Sequence, residues 1–156
     1  INLAMKNLLE MRSKEGRALV IDIEKRINKI KKELLSIKRL APNAKKKFEK
    51  KLKEKLLNLF KETEEIDDRL LREAAIFADK VDIAEEITRL DSHLKQFLVF
   101  LKDKEAIGRK LEFLLQECLR ETNTIASKAS DADISKASVE IKDELEKIKE
   151  QLQNIE

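Results

Sequence analysis

Residues 19–41 read LVIDIEKRINKIKKELLSIKRLA and decide the fold class. Their apolar residues recur at steps of three and four, which places them on one stripe of a helix of about six turns. The stripe consists of Leu19, Ile23, Ile27, Ile30, Leu34, Ile37 and Ala41. No part of the chain alternates polar and apolar residues for long enough to predict a strand. The sequence therefore predicts an all-α protein, with residues 1–156 forming a single helical domain.

Boundary signals divide the rest of the chain into further helices. Ala41-Pro42 predicts a boundary, because proline disfavours helical geometry in the residue before it. Asp82 predicts an N-cap, with Glu85 three residues later as in a capping box, and Asp131 predicts another cap. Further signals are an N-cap at Asp67-Asp68 and a loop around 103–106. The apolar stripes between these signals run through 48–59, 70–77, 83–101, 107–125 and 134–155.

Two of the stripes, 19–41 and 134–155, are narrow for helices of their length. From residue 141 onward the steps of four and three are typical of a coiled-coil seam. Either partner chains cover these stripes or the two helices pair as an antiparallel hairpin within one chain. The first alternative, which we favour here, predicts an elongated, homo-oligomeric helical bundle.

Composition excludes several functional classes. The single cysteine, Cys118, excludes disulfide frameworks and cysteine zinc sites, and the single histidine, His93, excludes multi-histidine metal motifs. Two glycines leave no glycine-rich phosphate loop. The sequence contains neither a signal peptide nor an apolar run of ~20 residues, so we expect a cytoplasmic protein without membrane contact. Because the chain begins with Ile1, we interpret it as a piece of a longer protein.

Charge is distributed unevenly along the chain. Residues 29–55 carry twelve Lys and Arg against three Glu, a net charge of +9, whereas the whole chain carries +3. Residues 131–156 carry eight acids and four lysines. The basic segment, which includes Lys46 and Lys50, predicts either a surface for RNA phosphates or a solvated helix face. Charge matching between subunits is a further use of the two segments.

Two helices carry polar flanks beside their apolar stripes. At 100° per residue, Asp82, Glu86, Arg89 and His93 share one flank of the helix that follows Asp82. Such a strip is either an active-site edge, with His93 as an acid or base, or a ladder of ion pairs at a subunit boundary.

On the next helix the flank contains two like charges one turn apart. Glu117 and Glu121 repel each other by a few tenths of a kcal/mol, so a compensating partner is expected. The partner is either a Lys or Arg across an interface or a divalent cation bound by the carboxylates. Lys110 and Lys128 lie about two turns out on either side.

Several strings resemble one known family. They are EAAIFADKVDIAEEITRL at 73–90, SHLKQF at 92–97, GRKLEFLLQE at 108–117 and RETNTIASKASD at 120–131. The chain resembles the carboxy-terminal region of the YicC-like endoribonucleases of bacteria over essentially its whole length. The GRKLEFLLQE string is the most specific, because it is not a generic helix pattern.

The resemblance implies a divalent-metal-dependent endoribonuclease that cleaves single-stranded or hairpin RNA and forms ring-like homo-oligomers, probable hexamers, with Mg²⁺ or Mn²⁺ as cofactor. It also implies an amino-terminal α+β domain that this chain lacks. Motif positions carried over as catalytic candidates are Glu86, His93, Glu117 and Glu121, the last two also as metal ligands. Candidates for RNA binding are Arg89, Arg109, Lys110, Arg120 and Lys128, together with Lys46 and Lys50 of the basic segment. Two rival functions remain open, a structural oligomerisation module and an RNA-binding adaptor without cleavage.

Overall fold

The fold is a set of long helices, as the sequence predicts. The computed structural model describes residues 2–60, 72, 75–77, 80–102 and 108–153, with side chains described from residue 16 onward except at 59 and 60. The helices with described bounds are α1 (Asn2–Phe60), α2 (Ala84–Leu101), α3 (Gly108–Lys128) and α4 (Ala132–Gln153), and the described part contains no strand. In that part, no helix has the length and apolarity to cross a membrane.

The four helices pack in a closed order. α1 packs on α4 and on α2, and α3 packs on α2 and on α4. The α1–α4 contact is antiparallel: Arg26 Nη1 donates to Glu144 Oε2 at 2.9 Å, and Gln151 Nε2 donates to Asp22 Oδ2 at 2.6 Å. Ascending positions in α1 therefore meet descending positions in α4.

The α1–α2 contact is antiparallel as well. Lys102, directly after α2, lies 3.6 Å from Glu24, and Lys45 Nζ donates to Asp82 Oδ2 at 2.7 Å near the other end. With the antiparallel α2–α3 contact described below, neighbouring helices alternate in direction as in an up-down four-helix bundle.

The predicted stripes form the core. Their buried members are Ile23, Ile27, Ile30, Leu34 and Ile37 in α1, Ile83 and Ile87, Leu90, Leu94, Phe97 and Leu101 at α2, Leu111, Leu114, Cys118 and Ile125 in α3, and Ile134, Ala137, Ser138, Ile141, Leu145 and Ile148 in α4. Leu115 and Leu119 of α3 are also buried, which the stripe through this helix did not include. The apolar face of α3, which packs on α2 and α4, is therefore wider than the predicted stripe.

The hairpin alternative describes the two narrow stripes correctly. The stripes of 19–41 and 134–153 cover each other within one chain, so the argument that they need a partner chain is wrong. A helix pair closes them because the antiparallel register brings isoleucines of both helices to the same seam. The predicted homo-oligomer stays a prediction that must rest on other grounds.

The predicted boundary at Ala41-Pro42 is wrong, because α1 continues through Pro42 to Phe60. Proline removes one helical hydrogen bond and costs about 3 kcal/mol in a helix interior. Ile37 is buried and Ala41 and Ala44 pack against the core on both sides of Pro42, so tertiary packing offsets that cost.

The capping predictions have mixed outcomes. Asp131 caps α4, since its Oδ1 accepts from the N–H groups of Asp133 and Ile134 at 3.0 and 3.3 Å. The capping box at Asp82 is wrong: α2 begins one residue later than an Asp82 cap requires, and Glu85 contacts Arg89 instead. Asp82 Oδ1 still accepts from the N–H of Ala84 at 3.0 Å. The predicted cap at 67–68 and the loop at 103–106 lie outside the described residues.

Truncation in the α1–α4 seam should destabilise the whole bundle. Ile141 is completely buried, and Ile141→Ala should lower the free energy of unfolding by about 2–5 kcal/mol through lost burial and a cavity. Val139, on the same helix, is 65% exposed, and Val139→Ala should change it by less than about 0.5 kcal/mol. Chemical denaturation of both variants measures the difference. Equal effects would mean that this seam is not part of the cooperative core.

Candidate functional site

The two polar flanks predicted on separate helices face each other along the α2–α3 contact, which we call the polar seam. It consists of Glu86, Arg89 and His93 of α2 and Glu117, Glu121 and Lys128 of α3. Ascending residues of α2 meet descending residues of α3, so the contact is antiparallel. The antiparallel register thus produces contacts that neither helix has alone.

An ion pair between a partly exposed lysine and a buried carboxylate closes one end of the polar seam. Lys128 Nζ donates to Glu86 Oε1 at 2.6 Å and to the carbonyl oxygen of Asp82 at 3.2 Å. Glu86 is 6% exposed, and its Oε2 has no hydrogen-bond partner within the described part of the chain. Removing one partner of such a pair leaves an uncompensated buried charge, which is strongly destabilising. The ammonium group of Lys128 therefore holds the end of α3 against the start of α2.

Three potential ligands converge farther along the polar seam. His93, Glu117 and Glu121 each offer one atom, and these atoms all lie within 4.8 Å of one another. Glu121 is 4% exposed, whereas His93 and Glu117 are half-buried. The Nδ1 atom of His93 is buried without a hydrogen-bond partner among the described residues. A ring nitrogen of His93 that converges with two carboxylates is an arrangement that a cation would satisfy.

The donor set fits a divalent cation with open coordination positions. Carboxylate oxygens suit Mg²⁺ and Mn²⁺, and an imidazole nitrogen suits transition metals better than Mg²⁺, so the set of one His and two Glu favours Mn²⁺. A cation held by these three residues would keep coordination positions for other ligands. Ligands around such an ion lie about 2 Å from it, so binding requires only a small approach of the side chains. The side chain of Glu117 is 26% exposed, so it is less enclosed than that of Glu121.

Two arginines lie beside the carboxylates of Glu117 and Glu121 without hydrogen-bonding to them. Arg89 Nη1 lies 3.9 Å from Glu121 Oε1, and Arg120 Nη1 lies 3.8 Å from Glu117 Oε2. Both distances exceed a hydrogen bond. The arginines offset the repulsion between the two acids, which is the ion-pair alternative of the sequence analysis. Their guanidinium groups are exposed and retain donors for a phosphate.

The remaining predicted RNA-binding residues lie away from the polar seam. Arg109 borders a cleft of about 300 Å³ together with Lys149 of α4. Lys110 Nζ lies 5.3 Å from the centre of the Phe100 ring, about two turns from Glu117. Lys46 and Lys50 are exposed on α1, beyond the part of that helix that contributes to the core.

Comparisons with known proteins place these residues in a family. The model of the domain described as "Endoribonuclease YicC-like, C-terminal" matches residues 37–156, which include the whole polar seam. The chain belongs to the YicC-like endoribonuclease family. The resemblance drawn from the motif strings is thereby confirmed.

Curated relatives agree with this assignment. The chain is 44% identical to a probable endoribonuclease YicC of Clostridioides difficile over 154 residues, which is 98% of this chain and 53% of the relative. It is 37% identical to a probable endoribonuclease YicC of Haemophilus influenzae over 152 residues, which is 96% of this chain and 52% of that relative. The chain spans about half the length of the curated relatives it matches.

One feature of this YicC-like domain was not found from the sequence, the place of His93 beside Glu117 and Glu121. The flank of α2 identified His93, and the like-charge pair of α3 identified the glutamates, but their proximity depends on the register between the helices. Cys118 is core, as predicted: burial raises the pKa of its thiol to about 12, so the thiol stays protonated at neutral pH.

Manganese should stabilise this YicC-like domain through the three convergent residues. A ligand that binds only the folded state at 100 times its dissociation constant adds about 2.7 kcal/mol of stability. We expect Mn²⁺ to raise the melting temperature of the unsubstituted chain and to have little effect on Glu121→Gln. Glu140→Gln, on the exposed face of α4, is the matched control and should respond like the unsubstituted chain. An equal response of both variants would exclude Glu121 as a ligand.

Proposed function

We propose that this domain contains the catalytic site of a metal-dependent endoribonuclease, located on the polar seam. The observation that carries the proposal is the convergence of His93, Glu117 and Glu121, with two exposed arginines beside the carboxylates. The curated relatives named as probable endoribonucleases support RNA as the substrate class. The reaction is cleavage of phosphodiester bonds in structured or hairpin RNA.

In this proposal one set of side chains binds the metal and another binds the phosphate. His93, Glu117 and Glu121 would hold a divalent cation, which would supply Lewis acidity and neutralise charge on the phosphate. Arg89 and Arg120 bind the phosphate oxygens, because a guanidinium group donates to two oxygens at once. Both arginines lie within 4 Å of a carboxylate, so a phosphate that they bind lies beside the donor set.

The proposal revises two roles predicted from the sequence. His93 acts as a ligand and not as a free acid or base, because it lies with the two carboxylates. Glu86 and Lys128 act as positioning residues, because their ion pair holds the register of α2 on α3. Glu117 and Glu121 keep the predicted metal-binding role.

The exposed basic face of α1 provides a path for the RNA backbone toward the polar seam. Lys46 and Lys50 represent this face, and Arg109 and Lys110 at the start of α3 provide a second basic surface. Glu144 pairs with Arg26 and lies 3.4 Å from Lys29, near the opposite end of the basic segment from Lys50.

A homo-oligomer, with the hexamer as its proposed size, would place several basic faces around one RNA. A role as a structural module is the second candidate, and the specific observation in its favour is the pair of Arg–Glu contacts at 3.8 and 3.9 Å. If those contacts only join helices, the glutamates matter for stability and not for cleavage. An adaptor would bind RNA without cleaving it.

Replacement of one carboxylate separates these functions. In the full natural chain, Glu117→Gln should slow manganese-dependent cleavage of a labelled hairpin RNA by roughly 100-fold or more, because it removes a charged ligand and keeps the side-chain shape. RNA affinity and oligomer mass should stay nearly unchanged. Glu140→Gln is the control, which should cleave normally. Lost assembly with unchanged cleavage per assembled chain would support the structural module instead.

RNA binding should also depend steeply on salt. If the basic face of α1 and the arginines contact six to ten phosphates, affinity should fall by about 10³–10⁵-fold between 50 and 200 mM salt. The double variant Lys46→Gln/Lys50→Gln should have a shallower slope. Lys95 pairs with Asp91 on α2 and serves as the control, and Lys95→Gln should not change the salt slope of RNA binding. A flat salt response of the unsubstituted chain would reject phosphate contacts by α1.

A further inference from the structure

A cleft between α1 and the start of α2 lies outside the polar seam. Its volume of about 410 Å³ falls in the range of roughly 300–1,000 Å³ that small-ligand sites occupy. Its walls are mainly apolar, formed by Ala41 and Pro42 of α1 and by Ile83 and Ile87 at α2. Val81, Ala84 and Thr88 complete the α2 side.

Three charged side chains line the cleft, and one of them, Lys38, can contact a bound anion. Lys45 Nζ donates to Asp82 Oδ2 at 2.7 Å, and Asp82 Oδ1 accepts from the N–H of Ala84 at 3.0 Å. The hydrogen bond from Lys45, aided by that from Ala84, lowers the pKa of Asp82, so Asp82 is ionised at neutral pH and its charge faces Lys45. Lys38 lies about one turn before Pro42 and two turns before Lys45. It is exposed, and no described acidic side chain lies within ion-pair distance of it.

The setting of the cleft determines which ligand fits it. It interrupts the basic segment 29–55, whose net charge of +9 favours a polyanion. An apolar slot flanked by lysines suits an unstacked base of a nucleic acid. The faces of the base contact the apolar side chains, and the neighbouring backbone phosphates contact the lysines. Pro42, inside α1, contributes a rigid ring to the wall of that slot.

We propose that this cleft binds one unstacked nucleobase of the RNA substrate, with Lys38 against a neighbouring phosphate. The proposal rests on the proposed function, because it assumes that the polyanion is RNA. Thr88 in the cleft and His93 in the polar seam are five residues apart on different sides of α2, or about 7.5 Å along the helix axis. A single strand crossing α2 therefore contacts both, and the cleft selects RNA in which a base near the cut is unpaired.

The first test measures RNA affinity after the cleft is filled. Ala84, the first residue of α2, is exposed and lines the cleft, so Ala84→Phe should occupy it without entering the core. Ala132, the exposed first residue of α4, is the matched position, and Ala132→Phe is the control. With single-stranded RNA and EDTA, Ala84→Phe should weaken binding by roughly 5- to 100-fold, because it removes the burial of one base against the apolar walls. The control should bind like the unsubstituted chain, and both variants should keep the same salt slope.

The second test uses small probes on the unsubstituted chain. Adenosine monophosphate should shift the methyl NMR signals of Val81 and Ile87, and ribose 5-phosphate should not, because it lacks the base. Val139, exposed on α4, is the internal reference and should not shift.

The outcomes separate this proposal from the proposed function. Equal RNA affinity of Ala84→Phe and Ala132→Phe overturns the base site, even if manganese-dependent cleavage is intact and the proposed function stands. Equal shifts from both small probes overturn it as well, since they indicate a phosphate site only. Absence of RNA binding and cleavage in the unsubstituted full natural chain overturns both.

Discussion

The antiparallel register of α2 on α3 is the constraint on which the candidate site depends. Apolar residues such as Leu94 and Leu114 pack in the core of this contact, and the Lys128–Glu86 pair fixes its end. A shift of one residue would turn each side chain by 100° and move it by 1.5 Å, which separates His93 from the glutamates. A slip would also expose apolar residues or leave the buried Glu86 without its cation. Core packing and this ion pair therefore specify the same register as the metal ligands.

The sequence predicted the helical stripes because helical period is a local property. Every stripe residue named for α2 is buried, and the α1 stripe is buried from Ile23 to Ile37. Local signals at helix ends were less informative. Pro42 predicted a boundary, yet packing of its neighbours against the core keeps α1 continuous. The partner of the α1 stripe was also not a local property, since the choice between α4 and another chain depends on tertiary packing.

The site was partly predictable for the same reason. Angular position placed His93 on one polar flank and Glu117 and Glu121 on another, and the repulsion between the glutamates indicated a missing partner. Two kinds of partner were left open, and the structure has elements of both: arginines at 3.8 and 3.9 Å, and an imidazole within 4.8 Å. The arginines lie at the exposed border, whereas Nδ1 of His93 is buried without a hydrogen-bond partner among the described residues. In our account His93, Glu117 and Glu121 would hold the cation, and Arg89 and Arg120 would bind the phosphate.

The central claim is that the polar seam binds a divalent cation through His93, Glu117 and Glu121. The most direct test is a crystal structure of the chain with Mn²⁺, with anomalous scattering recorded at a wavelength where manganese contributes. The account predicts one strong anomalous peak at coordination distance from all three side chains. It also predicts that Arg89 and Arg120 remain outside the coordination sphere. A map without a peak there, with Arg89 and Arg120 hydrogen-bonded to Glu121 and Glu117, would contradict the account and identify these residues as an ion-pair network between helices.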